Sequence, residues 1–169
     1  MATVEATQRK KVGVQNNLIV GLNHISIFVR NVDEATKFWM DIFEAEPYRD
    51  FPPKQLFHVK LSGVVLAFFD SRGKLVDPTF EYPHYAFTAS PEGMRVMKKR
   101  LDDAGVKTHP LWTRNREEAL LYFRDPSGNL FELYCPKYDR VAELRIGLGK
   151  VGGDFQPPIG DLMYDWPKR

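Results

Sequence analysis

The sequence of 169 residues predicts an α+β fold of two tandem βαβββ modules, paired so as to form a cupped mixed sheet, with an extra C-terminal tail. Three observations predict it. A strand-like stretch with a histidine near its start occurs twice, as GLNHISIFV (21–29) and EYPHYAFTA (81–89). Each copy precedes a segment with apolar residues at helical spacing and then several β-rich runs. His24 and His84 lie 60 residues apart, and the Ser62-Gly63 and Ser127-Gly128 turns lie 65 apart, as a duplicated unit requires.

Residues 1–17 are polar and aperiodic and read as a flexible N-terminal arm, so the first module is expected over 18–70. From Leu22 to Val29 the period is two: His24, Ser26 and Phe28 share one face, and Ile25, Ile27 and Val29 the other. Asn31 opens a helix with Glu34 as its capping-box partner, and Ala35, Phe38, Trp39, Ile42 and Phe43 form its apolar stripe. Pro47, Pro52 and Pro53 mark a loop. FHVKL (57–61) and VVLAFF (64–69), joined by Ser62-Gly63, read as a β-hairpin.

A linker at 71–83 leads to the second module, 84–140. Its strand at 84–89 is followed by Ser90 as N-cap, Pro91 at the first helical position, a stripe of Met94, Met97, Leu101 and Ala104, and Gly105 as C-cap. Strands are predicted at 106–112, 119–124 and 129–135, the last after the turn Asp125-Pro126-Ser127-Gly128. The tail, 141–169, mixes glycines and Pro157-Pro158 with Phe155, Tyr164 and Trp166. That is too much large apolar surface for a disordered tail, so it is expected to pack on the body or on a dimer partner.

Composition narrows the functional classes. A net charge of +2 and the absence of Lys/Arg runs interleaved with aromatics argue against nucleic acid as a partner. No apolar run is long enough for a bilayer, and the first residues lack the apolar core of a signal peptide, so a soluble cytoplasmic protein is expected. Cys135 is the single cysteine, which excludes an intrachain disulfide and a Cys-rich zinc site.

Glu132, four residues after Gly128, stands on a strand that should be apolar, and four residues after Gly63 the equivalent position is Ala67. His24 and His84 are therefore repeat mates, while the acid has none. Two imidazoles and one carboxylate form a mixed N/O set for one divalent ion, with coordination positions left open, as a catalytic site needs. A lone strand histidine is more often structural, which is the default for His58, whereas His109, before Pro110, reads as a turn residue. Trp39 and Trp112 read as core, and Arg114, Arg116 and Arg124 as solvated surface or an anion pocket.

These motifs, their order and the duplication resemble the vicinal oxygen chelate superfamily, the group of glyoxalases, bleomycin-resistance proteins and extradiol dioxygenases. The likeness covers roughly residues 20–140 and is greatest to the fosfomycin-resistance branch, through GLNHISIFV, PHYAF, Asn115-Arg116 and YFRDPSGNLFELY. The resemblance implies a glyoxalase-like paired-module fold, a metal site of His24, His84 and Glu132, and an ion that is Fe²⁺ or Mn²⁺ before Zn²⁺, Ni²⁺ or Co²⁺. It implies metal-dependent transferase or lyase chemistry on a small oxygenated substrate, with an oxyanion or alkoxide stabilised by Lewis acidity. Ser26, Arg114, Arg116 and Arg140 would bind substrate, and Tyr122 and His58 would be catalytic. It also implies a homodimer, with modules exchanged so that sites are shared between chains.

The sequence departs from that branch in three places. Thr113 stands where thiol-transferring members have a lysine, with Arg114 beside it as a substitute. Glu117-Glu118-Ala119-Leu120 replaces their potassium-binding loop, and Leu56 stands where hydrolytic members have a carboxylate base. A substrate other than fosfomycin is therefore expected. The alternative implied by Tyr122, Asp125, Pro126, Gly128 and Glu132 is an Fe(II) extradiol-type dioxygenase, for which His109 is the nearest acid–base candidate. A metal-free protein that sequesters a small molecule is the third reading.

Overall fold

The structure, a computed structural model, describes residues 21–51, 56–77, 82–148 and 151–167. The arm expected at 1–17 lies outside the described residues, as do Pro52 and Pro53. Among the described residues the order is β1 (His24–Val29), α1 (Val32–Phe43), β2 (Glu46–Phe51), β3 (Leu56–Leu61) and β4 (Val64–Asp70), then β5 (His84–Thr88), α2 (Pro91–Asp103), β6 (Trp112–Thr113), β7 (Ala119–Arg124), β8 (Leu130–Cys135) and β9 (Arg145–Ile146). The first βαβββ set forms a four-stranded sheet in the order β1-β4-β3-β2. The second forms a five-stranded sheet in the order β5-β8-β7-β6-β9. Both are mixed: β1 runs parallel to β4 and β5 to β8, while the hairpins β3–β4 and β7–β8 are antiparallel.

Local chemistry sets the helix ends. The Asn31 side chain accepts the Glu34 amide, and the Ser90 hydroxyl accepts the Gly93 amide, each pairing one donor that a helix start leaves open. The second helix is capped by Ala104, one residue earlier than expected, and Gly105 follows at φ +73°, the left-handed turn a glycine enters without strain.

The segment expected as a loop around Pro47 is instead strand β2. It is the outer strand of its sheet, where a missing N–H costs nothing, and its register with β3 shifts between Pro47 and Arg49. The strand expected over 106–112 shrinks to Trp112–Thr113. Pro110 has no amide to give a ladder, and beside it the buried His109 takes over a strand's work. Its Nε2 accepts the Tyr122 amide at 3.1 Å, and its Nδ1–H donates to the Pro110 carbonyl at 2.8 Å. His109 is thus a buried, neutral strut rather than a turn residue.

This arrangement carries a pH prediction. Burial, the largest cause, holds the His109 pKa below its ordinary 6.5, with Lys98 adding to it and the Pro110 carbonyl opposing. The unfolded chain therefore binds the proton more readily, so the contribution is present above the ordinary histidine pKa and is lost as pH falls below it. In urea unfolding the advantage of the wild type over His109→Gln, about 1–3 kcal/mol at about pH 7 from the disturbed buried amide, should shrink as the pH falls to about 5.

One apolar core lies between the two sheets. Ile27 and Val29 of β1, Val59 of β3, and Leu66 and Phe68 of β4 meet Phe38, Trp39, Ile42 and Phe43 of α1. The same cluster contains Leu121 and Phe123 of β7, Phe131 and Leu133 of β8, and Met94 and Leu101 of α2. Trp39 shows how one helix serves both sheets: it is fully buried, with its ring 4.7 Å from Phe131. Strand periodicity then fixes the rest. His24, Ser26, His58, Ala67, His84, Tyr122 and Glu132 have the opposite parity to these core residues, and so stand on the sheet faces turned away from the common core.

The tail packs on this chain's own body. After a 3-10 turn at Val141–Glu143, β9 pairs with β6, and Phe155, Leu162 and Trp166 are buried. Trp166 sets its ring edge-on to Phe38 at 5.4 Å, and the Tyr164 hydroxyl donates to the Arg124 carbonyl at 2.7 Å. Gly147 rests directly on Trp112: a Cβ there would lie 2.2 Å from the indole, so no side chain fits.

Candidate functional site

The register of the two sheets makes the duplication visible residue by residue. In the first sheet Ser26 of β1 pairs with Ala67 of β4, which pairs with His58 of β3. In the second, Ala86 of β5 pairs with Glu132 of β8, which pairs with Tyr122 of β7. Ser26 thus corresponds to Ala86, Ala67 to Glu132 and His58 to Tyr122, and the two outward faces carry complementary groups at matching places.

On the second face the chemistry is concentrated. Glu132 is 3% exposed, and its Oε2 lies 3.2 Å from His84 Nε2. The Nη2 of Arg114 stands 3.3 Å from the other carboxylate oxygen and 3.5 Å from the Tyr122 hydroxyl. Burial pushes the Glu132 pKa above the usual carboxylate range, against the opposing pull of Arg114 and His84, and Glu118 adds to the rise. The Tyr122 ring meets His84 edge-on, with centroids 5.5 Å apart, and supplies an apolar wall.

On the first face His24, Ser26 and His58 line a cavity of about 330 Å³ together with Asn23, Tyr48 and Phe69. His24 is exposed, and its Nδ1 is bonded to the Asn23 side chain at 2.9 Å. The structure therefore brings His84 and Glu132 together, with Tyr122 and Arg114 beside them, and sets His24, Ser26 and His58 on the other sheet. Among the described residues no group of three or more His, Cys, Asp or Glu stands where it could hold a metal ion. Within this chain His24 thus stands on the outward face of the first sheet, and His84 and Glu132 stand on that of the second.

Two expected substrate contacts lie elsewhere. Arg116, at φ +68°, gives its amide to Thr113 Oγ1 and reaches the Val151 carbonyl at 3.5 Å. Arg140 is held at 2.8 Å by Glu143 on the 3-10 turn after β8, so its charge is spent locally. Arg124, read as surface, is buried: it donates to the Gly128 carbonyl at 2.6 Å and holds the last turn together. Sequence reasoning missed Glu118, which accepts the Arg114 amide and is hydrogen bonded to the Tyr134 hydroxyl, and Tyr48 of the unexpected strand β2. The departure at Glu117-Glu118 was the one signal that could have pointed there.

Fold and site together define the class. The chain belongs to the Glyoxalase/Bleomycin resistance protein/Dioxygenase superfamily, whose family model matches residues 21–133. Within it the chain is similar to the metallothiol transferase FosB of Bacillus licheniformis, 30% identical over 133 residues that span 76% of this chain and 84% of that protein. It is also similar to the glutathione transferase FosA of Serratia marcescens, 27% identical over 118 residues, or 69% of this chain and 82% of that one. Among solved structures, a variant of the fosfomycin resistance protein FosX from Listeria monocytogenes, complexed with Mn(II) and 1S,2S-dihydroxypropylphosphonic acid, superposes with a TM-score of 0.61. It is 27% identical, and the match covers 70% of this chain and 92% of that one. Among the described residues no helix is long and apolar enough to cross a membrane.

Proposed function

We propose that the protein is a divalent-metal-dependent enzyme that acts on a small, oxygenated, anionic substrate, its site completed across a homodimer. His84 and Glu132 of one subunit would hold the ion with His24 of the partner subunit. The observation that carries this reading is the pairing of complementary half-sites on opposite faces: a buried carboxylate beside an imidazole on one, an exposed imidazole on the other. The residues fit a metal. Ligand atoms about 2.1 Å from one ion and in adjacent positions lie about 3 Å apart, close to the 3.2 Å between His84 Nε2 and Glu132 Oε2.

The face around His24 also favours a partner. Phe28 is 65% exposed and Phe69 38%, and their rings pack edge-on to each other beside that cavity. Two copies related by a twofold axis would cover this apolar surface and lay each His24 against the other chain's acidic half-site.

When bound, a divalent ion would supply Lewis acidity to the substrate. The protein's own groups do the rest. Arg114 orients the anion, in the role the lysine has in thiol-transferring relatives, since Thr113 is fully buried and engaged with the Arg116 amide. The Tyr122 hydroxyl and Ser26 position substrate oxygens, and His58 is a base lining the same cavity as Ser26. The relatives are fosfomycin-resistance proteins, which favours transferase or hydrolase chemistry, and the Mn(II) in the FosX structure favours Mn²⁺ as the ion. A dioxygenase is less well supported, because both nitrogens of His109 are already committed.

Complementation tests the shared site. His24→Ala and Glu132→Gln should each abolish tight Mn²⁺ binding in equilibrium dialysis. After the two variants are mixed and re-associated, half of the dimers carry one fully native site. Binding should then recover to about a quarter of the wild-type stoichiometry. No recovery from dimers shown to exchange chains would count decisively against sharing.

A further inference from the structure

We infer that the cavity between the tail and strands β6 and β7 is a subsite for the planar aromatic part of an anionic substrate, one whose oxygens lie at His84 and Glu132. This deepens the reading above and rests on it. The cavity has a volume of about 350 Å³, within the range of small-molecule sites. Its walls are Trp112 and Tyr122 from the second sheet, and Leu148, Phe155, Pro157 and Ile159 from the tail. The tail residues lie beyond residue 133, where the family match ends, so this wall lies outside the matched region.

Three rings from separate segments frame the space. The Trp112 centroid lies 6.3 Å from that of Tyr122 and 6.0 Å from that of Phe155, tilted to both. Phe155 is fixed from behind by the Arg145 guanidinium, 4.7 Å from its centroid, and edge-on by His109. Such walls favour a flat ring over an aliphatic chain, because edge and face contacts add to simple burial.

Arg114 joins this cavity to the carboxylate site. Its Nη2 touches Glu132 and the Tyr122 hydroxyl, its guanidinium lies 5.7 Å from the Trp112 centroid, and 53% of its side chain is exposed. It is the cation among the lining side chains, with Gln156 as the polar rim. A molecule with oxygens at Glu132 and His84 would therefore pass Arg114 with its anionic group and lodge its ring beyond.

The test is calorimetric binding of phenylphosphonate and methylphosphonate to the full-length protein, with and without Mn²⁺. Phenylphosphonate should bind at least about tenfold tighter. Phe155→Leu should cut that ratio severalfold while leaving methylphosphonate unchanged. Leu148→Glu, at a 61% exposed position on the rim where folding is safe, should weaken phenylphosphonate by placing a negative charge at the mouth. Equal affinities of the two phosphonates, or a preference that survives both substitutions, would overturn the subsite. If Mn²⁺ tightens neither ligand while the ratio stands, the metal reading fails and the subsite is supported.

Discussion

Glu132→Gln is expected to lower Mn²⁺ affinity by at least about a hundredfold, while thermal stability stays level or rises. Loss of even a supporting group around a metal costs ten- to a hundredfold, and Glu132 is proposed as a direct ligand. Glutamine keeps the shape of the side chain but removes the anion. In the metal-free protein that change is mild, because burying the Glu132 carboxylate is already unfavourable: burial raises its pKa against the pull of Arg114 and His84. Arg114, half exposed, can turn to water once its partner becomes neutral. Equilibrium dialysis read beside a thermal melt separates the two effects. A variant that binds Mn²⁺ as the wild type does would remove Glu132 from the metal site.

Much of this was legible in the sequence, for a physical reason. The parity of His24, Ser26 and Phe28 against Ile25, Ile27 and Val29 assigns faces before any contact is known, because a strand alternates by construction. The equivalence of Glu132 with Ala67 follows from turn spacing, and both sit at the same place in the sheet register. Helix starts at Asn31 and Ser90 are local chemistry and can be read locally.

What the sequence hid was long-range. Nothing around Pro47 announces a strand, since β2 exists only because β3 offers it a ladder. His109 looks like a turn beside a proline until the Tyr122 amide, thirteen positions away, is found to need an acceptor. Arg124 reads as surface until the tail folds over it and the Ile159 carbonyl meets its guanidinium. The separation of His24 from His84 belongs here too. The repeat makes them mates, but only the packing of both sheets on a common core sets them on separate outward faces.

The second large effect is expected at the turn that ties these layers together. Asp125→Ala should destabilise the protein by about 3–5 kcal/mol, since three N–H donors would lose a buried acceptor at about 1–3 kcal/mol each, less the relief of a buried charge. Asp125 Oδ1 accepts the amides of Ser127 and Asn129, both at 2.9 Å, and Oδ2 accepts the Asn129 side chain at 2.8 Å. Through that turn the Ser127 hydroxyl accepts the Arg30 amide, and Asn129 donates to the Phe28 carbonyl, so the end of β1 hangs on it. The Val76 amide bonds the Ser127 carbonyl, and a Cβ at Gly128, at φ +91°, would crowd the Val76 carbonyl at 3.0 Å. Asp125→Asn keeps the acceptor for the two backbone amides but turns a donor toward the Asn129 side-chain Nδ2, so it should cost less than alanine and still be measurable by urea unfolding. Burial, opposed by these donors, pushes the Asp125 pKa up to about 7. The folded protein then holds a proton that the unfolded chain releases near pH 4. Its contribution is therefore complete in acid and lost as pH rises toward 7. The stability difference between wild type and Asp125→Asn should shrink across that interval. A difference that widened instead would mean that the three donors outweigh burial and that Asp125 is charged throughout.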